Sequence, residues 1–174
     1  MGRATDALLV YGYDLGGDDA EDGWKVQQVD QYGGLLEQPW YNPDPDEDAD
    51  DEDDTDFVSC AEAQLIREVA GFRETYPAAG DTAGYWERRR AARQRVGVTV
   101  RTYCSDGTPM YVLAAHVIRV SRGYVQTIDP RDLTERPARE NWDTKLAAAL
   151  DALGLTPVQD APRWLLVSYG DGFH

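Results

Sequence analysis

The sequence predicts a single α+β domain, in which a mostly antiparallel sheet of about five or six strands carries about three helices. Three observations point to this. Short β-branched or aromatic runs bounded by Gly, Asp and Pro occur at both ends and in the middle of the chain. Two helical segments lie together between the early and central strands, so helices and strands run in blocks and do not alternate. The chain has 174 residues, which suits one ordinary domain that buries about 70% of its unfolded surface without a disulfide or metal staple. The domain is expected to span residues 1–174, with an acidic loop or linker at about 42–57.

Ala7 to Tyr13 (ALLVYGY) reads as an apolar strand stopped by Asp14-Leu15-Gly16-Gly17. Trp24 to Val29 alternates weakly and is a second strand, paired with the first across an acidic turn. Ser59 to Arg73 is an amphipathic helix with Leu65, Ile66, Val69 and Phe72 at helical spacing. Ser59 and Glu62 fit a capping box at its start. A second helix begins near Asp81 or Thr82 and runs to about Arg95.

The central β region follows. Val98 to Cys104 is β-branched and alternating, and Ser105-Asp106-Gly107 supplies a turn. Met110 to Val120 is apolar at both parities, so both of its faces should be covered. Ser121-Arg122-Gly123 turns the chain again, and Tyr124 to Ile128 completes an antiparallel meander over 98–128. Asn141 to Leu153 is a helix with Trp142, Leu146, Ala149, Leu150 and Leu153 on one face. Gly154, Leu155 and Pro157 then form a Schellman stop. Trp164 to Tyr169 is the last strand.

Charge separates the chain into two parts. Ten acids occupy the run from Asp44 to Asp56: Asp44, Asp46, Glu47, Asp48, Asp50, Asp51, Glu52, Asp53, Asp54 and Asp56. Without them 22 acidic residues face 17 basic ones, whereas the whole chain carries −15. Like charges at i,i+3 and i,i+4 repel, so the run is not an ordinary helix. With Pro43 and Pro45 at its start, it reads as a solvated, mobile loop. A chain of this charge is repelled by nucleic acid and anionic membranes, and its natural partners are basic surfaces. Fifteen arginines against two lysines, with abundant Ala, Gly and Asp, resemble a high-GC bacterial or phage coding sequence. Cys60 and Cys104 form no CxxC, which argues against a disulfide framework or zinc knuckle. The longest apolar stretch, Met110 to Ile118, is far too short to span a bilayer. A cytoplasmic location is the default expectation.

Four constellations are candidates for function. In the acidic tract an extended residue advances about 3.3 Å, so its charges recur roughly every 4 Å, near the phosphate spacing of one nucleic-acid strand. Trp40 and Tyr41 beside it are candidate interaction residues, although packing that anchors the loop is the commoner role of such aromatics. The second constellation is the arginine helix with Arg88, Arg89, Arg90 and Arg93, followed by Arg95 and Arg101. Its ordinary reading is a solvated face or one docked by the protein's own acids, and its alternative is phosphate or nucleotide binding. No glycine-rich phosphate loop precedes it. Third, Asp14 and Asp171 follow strands that could be neighbours, with His174 nearby. Together they could bind a divalent metal or do acid–base work. Fourth, His116 lies in an apolar strand, where a hydrogen-bonded core histidine is expected and not a ligand. A turn near Gly107-Thr108 places Cys104 opposite Tyr111 and His116 opposite Thr99, so no Cys/His dyad forms. The run Asp18 to Val29 fails as a calcium loop, because Val29 stands where the bidentate acid is needed.

These readings predict a small, noncatalytic accessory protein that binds a macromolecular partner. Its acidic loop would engage a basic protein surface, including the nucleic-acid-binding face of a partner, with no direct nucleic-acid contact, no membrane and no cofactor. One alternative is a metal-dependent hydrolase built on the strand-end carboxylates. The other is a phosphate binder built on the arginine helix.

Overall fold

The computed structural model describes residues 5–18, 23–42, 56–77, 79–105 and 108–170. Of the acidic tract only Asp56 is among them; Asp44 to Asp54 lie outside the described residues, as do Asp171 and His174. The element order is β1 (Thr5–Gly17), α1 (Phe57–Glu68), α2 (Thr82–Val96), β2 (Thr99–Ser105), β3 (Thr108–Val120), α3 (Pro130–Arg139), α4 (Trp142–Leu153) and β4 (Arg163–Gly170). The strands form one open sheet in the order β2-β3-β1-β4, with every neighbouring pair antiparallel. The α+β class holds, with four strands and four helices among the described residues.

β1 and β3 form the middle of the sheet and are longer than β2 and β4. Their ladder is offset at Ala115, an extra residue on β3 between the pairs Tyr11–His116 and Gly12–Ala114. It is offset again at Leu15 on β1, beside Gly16 with φ +69°. Gly12 sits opposite the first offset. A Cβ there would strike the Leu113 carbonyl oxygen, so only glycine lets the two backbones approach.

One face of the sheet packs on helices. Leu15, Tyr111 and Leu113 meet Phe57, Ala61 and Leu65 of α1, Ala92 and Val96 of α2, and Leu146, Ala149 and Leu153 of α4. The other face holds a smaller cluster of strand residues, with Leu8, Val10, Val112 and Ala114 at its centre and Tyr103, Val117, Leu165 and Val167 around it. The sheet curls over this cluster until Cα atoms of the edge strands β2 and β4 come within 8 Å of each other without pairing. Curling explains why Val10 and Val112 are fully buried on a face that carries no helix in its cluster.

The helix ends follow local chemistry. The Asp56 carboxylate, not Ser59, caps α1 by accepting from Val58 N at 2.8 Å and Ser59 N at 3.1 Å. Glu62, expected to reach back to the cap, reaches across to α2 instead. Asp81 caps α2, and Gly97 ends it in the left-handed region. The Schellman stop after α4 forms as its sequence indicates, with Leu155 N donating to Leu150 O and Gly154 N to Asp151 O, both at 3.2 Å.

Two predicted strands are absent, and one helix was not expected. Trp24 to Val29 makes only isolated bridges, to Gly16, Pro157 and Leu35. Its apolar side chains pack on the core, but no continuous neighbour is available to it. Tyr124 to Ile128 forms no strand, so the expected meander over 98–128 reduces to the β2–β3 hairpin. The chain is drawn away by α3, which starts with an Asp129 cap and Pro130 in the first turn. Pro130 and Pro137 look like breakers, but proline fits the first helical position, where no amide donor is needed. Pro137 sits in the last turn and is buried. Among the described residues no helix is long and apolar enough to cross a membrane.

Gly12→Ala should destabilise the fold by about 1–3 kcal/mol, because a backbone carbonyl must shift to admit the methyl group. Urea unfolding measures this. An unchanged midpoint would contradict the close approach of β1 and β3.

Candidate functional site

The arginines of α2 are largely committed to the protein's own acids. Arg93 and Arg89 reach Glu62 of α1 at 2.9 and 3.6 Å. Arg88 bridges Glu74 at 2.8 Å and Asp81 at 3.3 Å. Arg89 also lies over the Trp86 ring, 5.7 Å from its centroid. Arg95 donates to the Ala70 carbonyl at 3.3 Å. Arg90 and Arg101 are exposed. The cluster therefore works first as a clamp between α1, α2 and the segment joining them. Its exposed pairs, screened by solvent, each contribute little to stability.

Of the expected strand-end site only Asp14 lies among the described residues. Asp14 Oδ1 accepts from the Tyr103 hydroxyl at 2.8 Å and from Gly16 N at 3.1 Å, and Oδ2 pairs with Lys25 at 2.8 Å. β1 and β4 are neighbours, but they are antiparallel. Gly170, just before Asp171, pairs with Thr5, whereas the start of β4 at Arg163 pairs with Gly12 near Asp14. Nine residues at about 3.3 Å each put about 30 Å between the two ends, whereas a shared ion needs carboxylates within about 5 Å. Among the described residues no three His, Cys, Asp or Glu side chains gather as metal ligands.

Trp40 and Tyr41 are half-buried and turn inward. The Trp40 indole donates to the Leu153 carbonyl at 2.8 Å, at the end of α4. Both rings pack on Phe57, with centroids at 5.5 and 5.2 Å. Phe57 is almost fully buried and follows directly on Asp56. The residues that flank the acidic tract on both sides thus meet in one aromatic clamp.

His116 lies in a denser cluster than its sequence neighbourhood suggests. Its ring stacks on Trp142 at 5.0 Å with an interplanar angle of 12°. Trp164 stands edge-on to it, and Tyr11 contacts both tryptophans. Arg136 of α3 lies 3.2 Å from His116 Nε2. A guanidinium can only donate, so Nε2 accepts and a neutral ring carries its proton on Nδ1. Arg136 also covers the Trp142 ring and pairs with Glu140 at 2.6 Å. The Trp164 indole ties β4 to α3 through the Leu133 carbonyl at 2.8 Å. Burial, with Arg136 adding to it, pushes the His116 pKa below its usual value. Burial, with the Asp143 carboxylate bound to its hydroxyl at 2.8 Å, raises Tyr11 to about 12. A cavity of about 440 Å³ opens beside His116, Arg136 and Trp164. With Nε2 held by Arg136, His116 offers no free Nε2 lone pair for base catalysis. The partners of His116 were hidden in the sequence because they are 20 to 48 residues away on three other elements.

Neither cysteine contacts His116 through the sheet. Cys104 pairs with Pro109 and Thr99 with Ala114, two residues from the expected register, because Ser105 pairs with Thr108 and the hairpin centres one residue earlier.

The sheet also has an incomplete edge. β2 pairs with β3 only from Thr108 to Ala114, whereas β1 covers the other side of β3 as far as Val120. A cavity of about 700 Å³ lies in this notch, bounded by β2, the last turn of α2 and β3 from Ala114 to Arg119.

The folded pKa of His116 lies below its usual 6.5, so between the two values the unfolded chain binds more protons. Stability from the neutral ring is complete above about 6.5 and is lost as pH falls through the folded value. Urea midpoints should therefore fall between about pH 7 and 5, and His116→Phe, which keeps the ring stack but does not titrate, should flatten this dependence. Equal pH dependence in the two proteins would assign it to other groups. No family model matches the chain, and no curated protein or solved structure is similar to it.

Proposed function

We propose that this is a noncatalytic accessory protein that binds a macromolecular partner, with the acidic tract engaging a basic protein surface. The observation that carries the reading is the aromatic clamp. Trp40 and Tyr41 on one side of the tract and Phe57 on the other pack together, so the described residues that bound 43–55 are held at one place. Nine of the tract's ten carboxylates lie between these fixed ends. Anchoring both boundaries in one clamp supports a role for this dense negative charge in recognition. Such a field steers a basic partner and raises its rate of encounter.

Two further features support this reading over the alternatives. Asp14, Glu62 and His116 each have structural partners, which competes with a catalytic role. Most of the α2 arginines are paired internally, so phosphate binding there would have to displace existing ion pairs.

Affinity capture with the full chain tests the proposal. Partner retention should fall steeply between low and high salt, since the screening length shrinks from about 10 Å at 0.1 M to about 3 Å at 1 M. Replacing the acids of residues 44–54 by Asn and Gln should abolish retention. Deleting that stretch should shift the melting temperature by no more than about 4 °C, less than the loss of one sizeable core contact would produce. Salt-independent retention, or retention by the neutralised protein, would move the binding surface elsewhere.

A further inference from the structure

We infer that the cavity between β3 and α3 binds a free α-amino acid with an aliphatic side chain. Arg136 takes its carboxylate, and Asp129 with Asp132 takes its ammonium group. This site is separate from the acidic tract and goes beyond the reading above.

Helix spacing makes the first part of the argument. Asp129 caps α3, and Asp132, Leu133 and Arg136 follow at helical spacing, so the four share one face. All four line the cavity of about 440 Å³, a size within the roughly 300–1,000 Å³ of small-molecule sites. Asp132 and Arg136 stand at i,i+4, where opposite charges ordinarily pair. Here each turns elsewhere. Asp132 lies 3.8 Å from Arg139, and Arg136 pairs with Glu140 at 2.6 Å. Neither Arg139 nor Glu140 lines the cavity. The helix thus holds an acid and a base one turn apart on the cavity wall without joining them.

The remaining donors and acceptors define the head group. A guanidinium carries five N–H donors. Glu140 occupies the Nε donor of Arg136, and His116 Nε2 occupies one on Nη1. The Trp142 ring lies against the same guanidinium at 5.4 Å, so its plane is fixed before any ligand arrives. Among the described residues no acceptor meets Nη2. Asp129 accepts from the Arg131 amide through Oδ1, which leaves Oδ2 for a ligand. Arg119 also borders the cavity, but Asp6 holds it.

Charge then selects the ligand. A simple carboxylate would enter beside two acids in a chain of net charge −15. A simple ammonium ion would meet a fixed guanidinium. A zwitterion satisfies both, and an α-amino acid joins its two charges through one carbon, which suits groups on neighbouring helix turns. Ile118, Ile128 and Trp164 complete the wall. Ile128 is 37% exposed, so an aliphatic side chain finds apolar surface to cover.

The test titrates L-leucine into the purified full chain by isothermal calorimetry. Three comparison probes each lack one part of it. 4-Methylpentanoate lacks the ammonium group, L-leucinamide lacks the carboxylate, and glycine lacks the side chain. NMR shifts of backbone amides and indoles locate the site. L-Leucine should bind at least about tenfold more tightly than each comparison probe. Shifts should move in residues 126–136 and at the Trp164 indole. Asp132→Asn should weaken L-leucine binding about fivefold to tenfold and close its advantage over 4-methylpentanoate, with an unchanged melting temperature. Arg136→Lys keeps the charge but loses the planar fork, and should weaken L-leucine while narrowing its advantage over L-leucinamide. No heat from L-leucine at about 10 mM, equal binding of any comparison probe, or shifts confined to other elements would overturn the proposal. So would an Asp132→Asn protein that binds L-leucine as tightly as the native chain, whatever Arg136→Lys does to the fold.

Discussion

The rest of the structure depends on the offset in the β1–β3 ladder at Ala115. In a strand, side chains alternate between faces, and one extra residue reverses the alternation from that point on. Val112 and Ala114 point into the small cluster under the curl of the sheet, and without the offset His116 would follow them. With it, Ala115 and His116 both face the helices, and His116 stacks on Trp142. Val117 then returns to the small cluster. Gly12 is the matching concession on β1, since only a residue without Cβ accepts the Leu113 carbonyl so close. A single irregularity thus keeps two different cores filled along one strand.

Helices α3 and α4 are placed by what the offset exposes. Trp142 opens α4 over His116, and Arg136 of α3 reaches the Nε2 edge of the same ring. Trp164 on β4 closes the cluster by bonding to α3. The route to α3 runs through Tyr124–Ile128, which pairs with no strand. Tyr124 and Val125 are left in water.

Electrostatics is divided in a similar way. The residues that bound the acidic tract meet in the Trp40–Tyr41–Phe57 clamp, whereas the arginines of α2 are held largely by Glu62, Glu74 and Asp81. Glu62 shows how a local motif gives way to a tertiary one. It stands where a capping-box acid belongs, but Asp56 already caps α1, and two arginines on α2 offer it opposite charges. Neither the clamp nor this ion-pair set can be read from spacing, because each joins residues on separate elements.

What the sequence by itself determined is local. Hydrophobic periodicity placed α1 and α4, and Asp81 or Thr82 marked the start of α2. Gly154 with Leu155 marked the end of α4, β-branched runs marked β2 and β3, and the blocks of strands and helices implied an α+β fold. The isolated charge of residues 44–56 was equally plain. Tertiary structure decided everything that depends on which element lies beside which. Strand order sent the two ends of β1 and β4 to opposite rims, so Asp14 and the end of β4 never meet. It left Trp24–Val29 and Tyr124–Ile128 without the neighbours that would make them strands. It admitted α3 despite two prolines, because Pro130 needs no amide partner at a first turn and Pro137 finds a buried place at the last. The physical reason is common to all of these. Propensity and periodicity act over one or two turns of chain, whereas strand pairing and aromatic stacking reward contacts between residues far apart in sequence.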